Sequence, residues 1–369
     1  MSKSDQEPPD HRPRAFAADR ARQVAGAALK AAWWGAAAVA VRRVAQPTAA
    51  KPESFTPSAA PAPPGFVRRA WLEAFEKDAA DVAAGLYPPM APRNIDPLSA
   101  LRQAADLMGD ARGVEARRRR HGSIEASGEV PPGGGFPAYY RQNFHFQSGG
   151  WFTSQSARRY EGQVELLFAG AGGAMRRRAL ALLATAWRGR DHRGLTLVDL
   201  ACGSGAFLEN LAQTFPRARL MGADLSPAYL AETRRRLGIR TLMQANGERL
   251  PFAEASLDAV TCVYLFHELP PPVRVSVAAE IARVLKPGGL LAFADSLQPA
   301  DEPRLGRLLE TFPAYFHEPF YASYGKTDLA DLFGKAGLEL RGQDRVFLTK
   351  AMLFEKRSKP ARRQPNIST

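Results

Sequence analysis

VDLACGSGAFLENLAQTF, residues 198–215, decides the fold. An apolar run carries Asp199 near its end, a glycine-containing turn follows, and helical spacing begins after it. Gly203 and Gly205 have no side chain, so the backbone can pass close to a ligand there. The free N–H groups and positive dipole end of the next helix would face that ligand. One such turn is common to many nucleotide-binding folds, so a second signal is needed. It comes in GADLSP, where Asp224 lies 224 − 205 = 19 residues beyond Gly205. A carboxylate at that strand end can accept both hydroxyls of a ribose. A dinucleotide is disfavoured, because the third glycine of G-x-G-x-x-G falls on Leu208, and starting two residues earlier fails at Ala201.

Outward from this stretch, short apolar runs alternate with helical segments. Strands are expected at LTLVDLA (195–201), RLMGADL (219–225), TLMQA (241–245), LDAVTCVYLF (257–266) and GLLAFADSL (289–297), with two more inside GLELRGQDRVFLTKAMLFEKR (337–357). That alternation predicts an α/β fold, doubly wound, with a mostly parallel seven-stranded sheet.

Four ordered motifs in residues 195–357 resemble those of class I S-adenosylmethionine-dependent methyltransferases, and of the quinone-biosynthesis-like, small-molecule subgroup. VDLACGSG resembles the first, with Ala201 where glycine is frequent, and GADLSP the second. QANGERLPFAEASLDAV resembles the third, with Asn246 where the family usually has Asp, and VLKPGGLLAFAD the fourth. The resemblance implies methyl transfer from S-adenosyl-L-methionine. It implies a cofactor set of Asp199, Ala201, Cys202, Gly203 and Gly205, then Asp224 and Leu225, then Asn246 and Gly247, with Tyr264 at the end of the fourth strand. Asn246 would accept the adenine amino group; Cys202 could equally be passive packing.

The acceptor side is read from VYLFHELPPP and two aromatic stretches. His267 and Glu268 sit where an acid–base pair could act, although a structural histidine bonded to its loop is the alternative. FPAYFHEPFYASY (312–324) adds His317, Tyr315 and Tyr321 beyond the fifth strand, the edge where open α/β sheets bind ligands. AYYRQNFHFQSGGWF (138–152) holds six aromatic residues and one histidine. It reads as core, as a stacking platform, or as the wall of a pocket. In the pocket reading Tyr139, Tyr140, Asn143 and His145 face the acceptor and Gly149–Gly150 bend the segment over the cofactor. A stacking platform would interleave a basic groove, and this stretch has a single cation, Arg141.

Four regions follow: an Ala/Pro/Arg-rich arm (1–65), a helical N-terminal cap region (66–193), the methyltransferase domain (194–357) and a basic tail (358–369). Helices are expected at 66–86, 96–120, 156–170 and 174–187. The net charge of +13 suggests nucleic acid, but its distribution argues against that partner. Residues 194–369 carry 22 Lys/Arg against 19 Asp/Glu, whereas 136–193 carry 9 against 3. The triple Arg176, Arg177, Arg178 with Arg158 and Arg159 therefore carries the rival reading of an RNA or protein substrate; a non-catalytic cofactor-binding protein is the other rival. The Ala-rich segment 24–43 could touch a membrane surface. Two cysteines and no clustered metal-ligand spacing predict no disulfide scaffold, no metal, and a cytoplasmic location, with membrane association as the variant. His11, His121 and His192 are isolated and expected to be exposed.

Overall fold

The structure, a computed structural model, describes residues 56–89, 135–238 and 241–358, with isolated positions 33, 36, 113, 114, 116, 117 and 128–130. The segment 24–43, most of 96–120, the tail beyond 358, His11 and His121 lie outside the described residues.

The first helix whose two ends lie among the described residues is α1 (Phe66–Ala83). Residues 138–152 then run as two 3-10 turns and connecting loops rather than as helix or strand. Helices α2 (Ser154–Leu167) and α3 (Gly172–Ala186) lead into strand β1 (Thr196–Leu200). The alternating unit continues through α4 (Ala206–Thr214), β2 (Arg219–Asp224), α5 (Pro227–Leu237) and β3 (Leu242–Gln244). Beyond these come β4 (Leu257–Val263), α6 (Pro271–Val284) and β5 (Leu285–Ser296). An insertion carries α7 (Gly306–Tyr315) and the short α8 (Tyr321–Tyr324); α9 (Leu329–Lys335), β6 (Leu338–Val346) and β7 (Thr349–Lys356) close the chain.

The seven strands form one sheet in the order β3-β2-β1-β4-β5-β7-β6. The first five are parallel, β7 is antiparallel to β5, and β6 is antiparallel to β7. A mostly parallel sheet with helices on both faces is the architecture the motifs predicted. Side chains alternate between faces with the period of a strand. Val198, Val260, Leu291, Phe293 and Phe354 point to the layer of α6 and α9. Leu197, Ala259, Ala292 and Ala351 point to α3 and α4. Alanines on that face let the Ala-rich α3 lie close, and Trp187 at its end is buried. Helix α3 thus shares a core with the strands after it, and a boundary at residue 194 divides elements packed together.

Helix α1 docks on α3 through Ala74, Ala174 and Met175, and through charge. Arg177 and Arg178 donate to Asp78 and Asp81, and Tyr87 hydrogen-bonds both carboxylates at 3.1 and 3.0 Å. Arg178 also meets Asp344 at 2.8 Å, and Arg176 pairs with Glu161 at 2.7 Å. All three arginines are buried. The cationic triple expected to offer a basic surface is an internal fastening, because acidic partners far away in the chain fold over it. His192 is also corrected: it is partly buried, its ring 4.9 Å from that of Phe215, since the loop after α3 folds onto α4. Among the described residues no helix is long and apolar enough to cross a membrane.

Candidate functional site

At the carboxyl ends of β1, β2 and β4 lies an open-sided cavity. The turn after β1 forms its floor. Ala201 takes φ 57°, a left-handed conformation costly for any residue with a Cβ, at the position where glycine is frequent in the resembled family. Gly205 has φ 80°, and a Cβ there would lie 2.7 Å from Thr233 and 3.2 Å from Leu237. Its lack of a side chain therefore serves helix packing against α5. At Gly203 the space is open: a Cβ would meet nothing closer than 4.0 Å.

Asp224, at the end of β2, accepts hydrogen bonds from the backbone N–H of Gly203 and of Ser226, both at 2.8 Å. Burial raises its pKa, against the pull of those two N–H groups. Asp199 is 2% exposed; Oδ1 accepts the Thr261 hydroxyl at 2.6 Å, while Oδ2 has no hydrogen-bond partner. Burial pushes this carboxyl up to about 7. Asn246 and Gly247 line the cavity beyond Asp224. Asn246 accepts from the Glu248 N–H at 3.0 Å, and Glu248 accepts the Tyr139 hydroxyl at 2.9 Å. Tyr139 thus stands beside Asn246 rather than with the histidines.

The aromatic segment forms the roof. Gly149 and Gly150 both have positive φ, 73° and 50°, and Thr153 would lie 2.5 Å from a Cβ on Gly149. The bend sends Trp151 down to Tyr160 and Tyr229, with ring centroids 5.5 and 5.3 Å away. Tyr139, Tyr140, Trp151 and Tyr160 all line the cavity, and Trp151 Nε1 has no hydrogen-bond partner. Glu161 fastens the roof to the floor: it accepts the Ser204 hydroxyl at 2.7 Å and holds Arg176 through two hydrogen bonds. Burial would raise the Glu161 pKa, but Arg176 and Arg236 outweigh it and hold it at about 2.

Behind one wall lies a buried network of imidazoles and carboxylates. Strand β4 stops at Val263 because Tyr264 turns to φ 57°, and Phe266–Glu268 form a 3-10 turn. That turn is pinned by Asp295, the acid near the end of β5. Its Oδ2 accepts the Phe266 N–H at 2.8 Å, and its Oδ1 meets His267 Nδ1 at 2.6 Å. Glu268 Oε1 then lies 4.0 Å from His267 Nε2 and 3.8 Å from His145 Nε2. His145 Nδ1 lies 3.0 Å from Glu318 of the insertion. Glu268 is the member of this network that lines the cavity.

Burial alone would lower the His267 pKa; Asp295, with Glu318 and Glu268 behind it, reverses that and raises it to about 9. The same opposition, with Glu318 first among the raising charges, brings His145 to about 10. An unfolded histidine titrates near ~6.5. The stabilisation is therefore complete below that pH and is lost as pH rises through the folded values. Denaturant unfolding from about pH 6 to 10 should show stability falling, with a smaller fall in His267→Asn.

Of the residues singled out from sequence, the cavity gathers Asp199, Ala201, Cys202, Gly203, Asp224, Leu225, Asn246, Gly247, Tyr264, Glu268, Tyr139 and Tyr140. Gly205 lies behind its floor. His145 and His267 stand behind Glu268. His317 turns away, its Nε2 2.7 Å from Gln142 Oε1. Asn143 donates to the Gln147 carbonyl at 2.8 Å and shapes the loop. Tyr321 hydrogen-bonds Ser296 at 2.5 Å, and Tyr315 is exposed. The Cys202 thiol is buried, and its pKa is pushed well up by that burial. Sequence reading missed Trp151 as a lining residue, Tyr160, Glu161 and Arg176, and it missed Asp295. Asp295 had a visible signal: an acid near the end of an otherwise apolar strand. Among the described residues no group of three His, Cys, Asp or Glu could hold a metal.

The orphaned Asp199 Oδ2, the open space at Gly203 and the Asp224 carboxylate fit an adenosyl cofactor with an amino-acid tail: acceptors for ribose and ammonium, and room against bare backbone.

The chain is similar to several known proteins. A family model described as a methyltransferase domain matches residues 197–289. A ubiquinone/menaquinone biosynthesis C-methyltransferase of Syntrophotalea carbinolica is 32% identical over 181 residues, 44% of this chain and 73% of that protein. Its counterpart from Desulfotalea psychrophila is 32% identical over 160 residues, covering 38% of this chain and 64% of its own length. A fatty-acid O-methyltransferase of Mycolicibacterium smegmatis is 35% identical over 33% of this chain and 45% of its own. The chain spans between 45% and 66% of the length of the first four curated relatives it matches. A crystal structure of a SAM-dependent methyltransferase from Aquifex aeolicus aligns with a TM-score of 0.40 at 15% identity, over 55% of this chain and 98% of that one.

Proposed function

The chain belongs to the S-adenosylmethionine-dependent methyltransferases, and from that premise we propose that it methylates a small aromatic or lipid-like acceptor by in-line displacement. One observation carries the proposal: a single cavity receives the ends of the first three motifs and of β4, and is roofed by the aromatic segment upstream of them. When bound, the cofactor supplies an electrophilic methyl group on a cationic sulfur. Asp224 would hold the ribose hydroxyls, Asn246 and Gly247 the adenine edge, and Asp199 the charged tail. Trp151, Tyr140 and Tyr160 would exclude water, which matters because alignment and desolvation do most of the work in such a displacement. Two relatives' names, a demethylmenaquinone methyltransferase and a fatty-acid O-methyltransferase, support an apolar acceptor. Arg176, Arg177 and Arg178, three of the five arginines that would have favoured RNA, are internally paired.

The test uses the full-length protein, methyl-labelled S-adenosylmethionine and separate pools of reduced quinones, simple phenols, fatty acids and total RNA. Label in an aromatic or lipid product is the expected result. Label in RNA alone, or cofactor binding with no transfer to any pool, overturns the proposal.

A further inference from the structure

We infer that Arg176 receives the carboxylate of the cofactor's amino-acid tail, with Glu161 aiming it, and that the cavity thereby selects a cofactor whose tail carries both charges. This rests on the cofactor placement proposed above. Among the described residues, four acidic side chains line the cavity: Glu161, Asp199, Asp224 and Glu268. Arg176 is the single basic side chain that does so. S-adenosylmethionine brings two cationic groups, the sulfonium and the ammonium, and one anion. The cations meet an acidic lining. The carboxylate has one oppositely charged side chain to meet.

Neutral donors of the glycine turn are already engaged. The Cys202 N–H goes to the Ala223 carbonyl at 3.1 Å, the Gly203 N–H to Asp224 at 2.8 Å, and the Gly205 N–H to the Cys202 carbonyl at 2.9 Å. The Ser204 hydroxyl goes to Glu161 at 2.7 Å. A carboxylate brought to this turn without a further donor would be desolvated and unpaired, which is costly. Arg176 differs here from its two neighbours in sequence. Arg177 and Arg178 pair with Asp78, Asp81 and Asp344, and none of those five residues lines the cavity.

The hydrogen bonds fix the direction of the guanidinium. Glu161 Oε2 accepts from Arg176 Nη2 at 2.7 Å, and Oε1 accepts from Nη1 at 3.2 Å and from the Ser204 hydroxyl. The guanidinium plane is thereby set relative to the glycine turn. A guanidinium carries five N–H donors in one plane, so a carboxylate held through two of them leaves others for a second anion. Glu165 does not fill that place: its Oε1 stands 3.8 Å from Nη2 and accepts the Gly173 N–H at 3.1 Å. Arg176 and Glu161 keep 11% and 16% of their side chains exposed, and both open on the cavity. Arg176 is also near enough to act electrostatically on Asp199, the acid assigned above to the charged tail. The tail then meets the site as one ion pair meets another, with its carboxylate toward Arg176 and its ammonium toward Asp199.

The measurement is of binding and needs no turnover. Full-length protein is titrated with S-adenosylmethionine, with its decarboxylated analogue, and with methylthioadenosine, the same nucleoside without the tail. The decarboxylated ligand keeps the sulfonium and the ammonium, so an acidic lining alone would not disfavour it. The wild-type protein should nevertheless bind the intact cofactor tighter, on the order of 10- to 100-fold, as one hydrogen bond between charged groups predicts. Arg176→Met should abolish or reverse that preference and leave the affinity for methylthioadenosine as in the wild type. Equal binding of the two sulfonium ligands by the wild-type protein, or a preference that survives Arg176→Met, overturns the inference and leaves the methyltransferase reading intact. Loss of affinity for all three ligands by one common factor in Arg176→Met overturns it too, since the arginine would then only support the fold. Binding of none of the three by the wild-type protein overturns the cofactor reading instead. Where Arg176→Met does not fold, the double variant with Glu161→Gln, which leaves no stranded carboxylate in the pair, is read in the same way.

Discussion

Replacing Asp224 with alanine is expected to weaken S-adenosylmethionine binding by ~100-fold or more, because each hydrogen bond to a charged group is worth about 1.5–3 kcal/mol and two ribose hydroxyls would be lost. The carboxylate is suited to this because it does two things at once. It draws the Gly203 N–H toward it and holds the Ser226 N–H at the start of α5, both at 2.8 Å. It thereby joins the floor of the cavity to its side wall. Alanine removes the ribose contact and also releases the Gly203 backbone. Asn is the informative comparison: its amide keeps one acceptor but turns a donor toward one of the two N–H groups. Asp224→Asn should therefore lose nearly as much affinity as alanine. Alanine also leaves the Gly203 and Ser226 N–H groups without this acceptor, so its unfolding midpoint should fall as well, by the equivalent of about 1–3 kcal/mol for each buried donor left unsatisfied. Equilibrium binding of labelled cofactor with a thermal melt on each variant checks both parts. Wild-type affinity in Asp224→Ala would remove the ribose from this carboxylate.

The sheet and half of the cavity were legible in sequence because they are local. VDLACGSG and GADLSP each pack strand, turn and cavity-lining acid into eight residues or fewer. Strand periodicity then places successive turns at the same edge. What the sequence hid is pairing across long separations. Tyr139 was grouped with the histidines as an acceptor contact. Its hydroxyl is instead 109 residues away in sequence from its partner Glu248, at the Asn246 end of the cavity. His145 and His317 sit in comparable aromatic stretches, yet one faces Glu268 and the other Gln142. The difference is the left-handed backbone at His145 and Phe146, φ 55° and 54°, which no local pattern announces. Nothing local marks Glu161 and Arg176 as partners. Arg176 is buried and Glu161 partly so because two helices and the glycine turn converge on them. The same blindness made a basic surface out of Arg176, Arg177 and Arg178.

That last case gives the largest expected effect on stability. Asp78→Ala should destabilise the protein by about 3–5 kcal/mol, the usual consequence of removing one partner of a buried ion pair. Arg177 is 4% exposed, and its guanidinium donates twice to Asp78, at 2.7 Å through Nε and again through a terminal nitrogen. Without Asp78 that charge stays buried beside Tyr87, over whose ring it lies 5.3 Å from the centroid. Tyr87 also loses one of its two acceptors. Asp81 cannot substitute, since it already receives Arg178. The double variant Asp78→Ala with Arg177→Met removes the stranded charge, and it should recover most of the loss. At about 2.1 cal/mol/K of unfolding entropy per residue, a chain of 369 residues shifts by roughly 1.3 °C per kcal/mol, so the single variant should melt roughly 4–7 °C lower. Thermal denaturation of the three proteins, with cofactor affinity measured alongside, tests the assignment. Asp78, Tyr87, Arg177 and Arg178 are not among the residues that line the cavity, so affinity in the surviving folded fraction should hold. A single variant that melts with the wild type would mean that these arginines are hydrated, and the basic-surface reading would return.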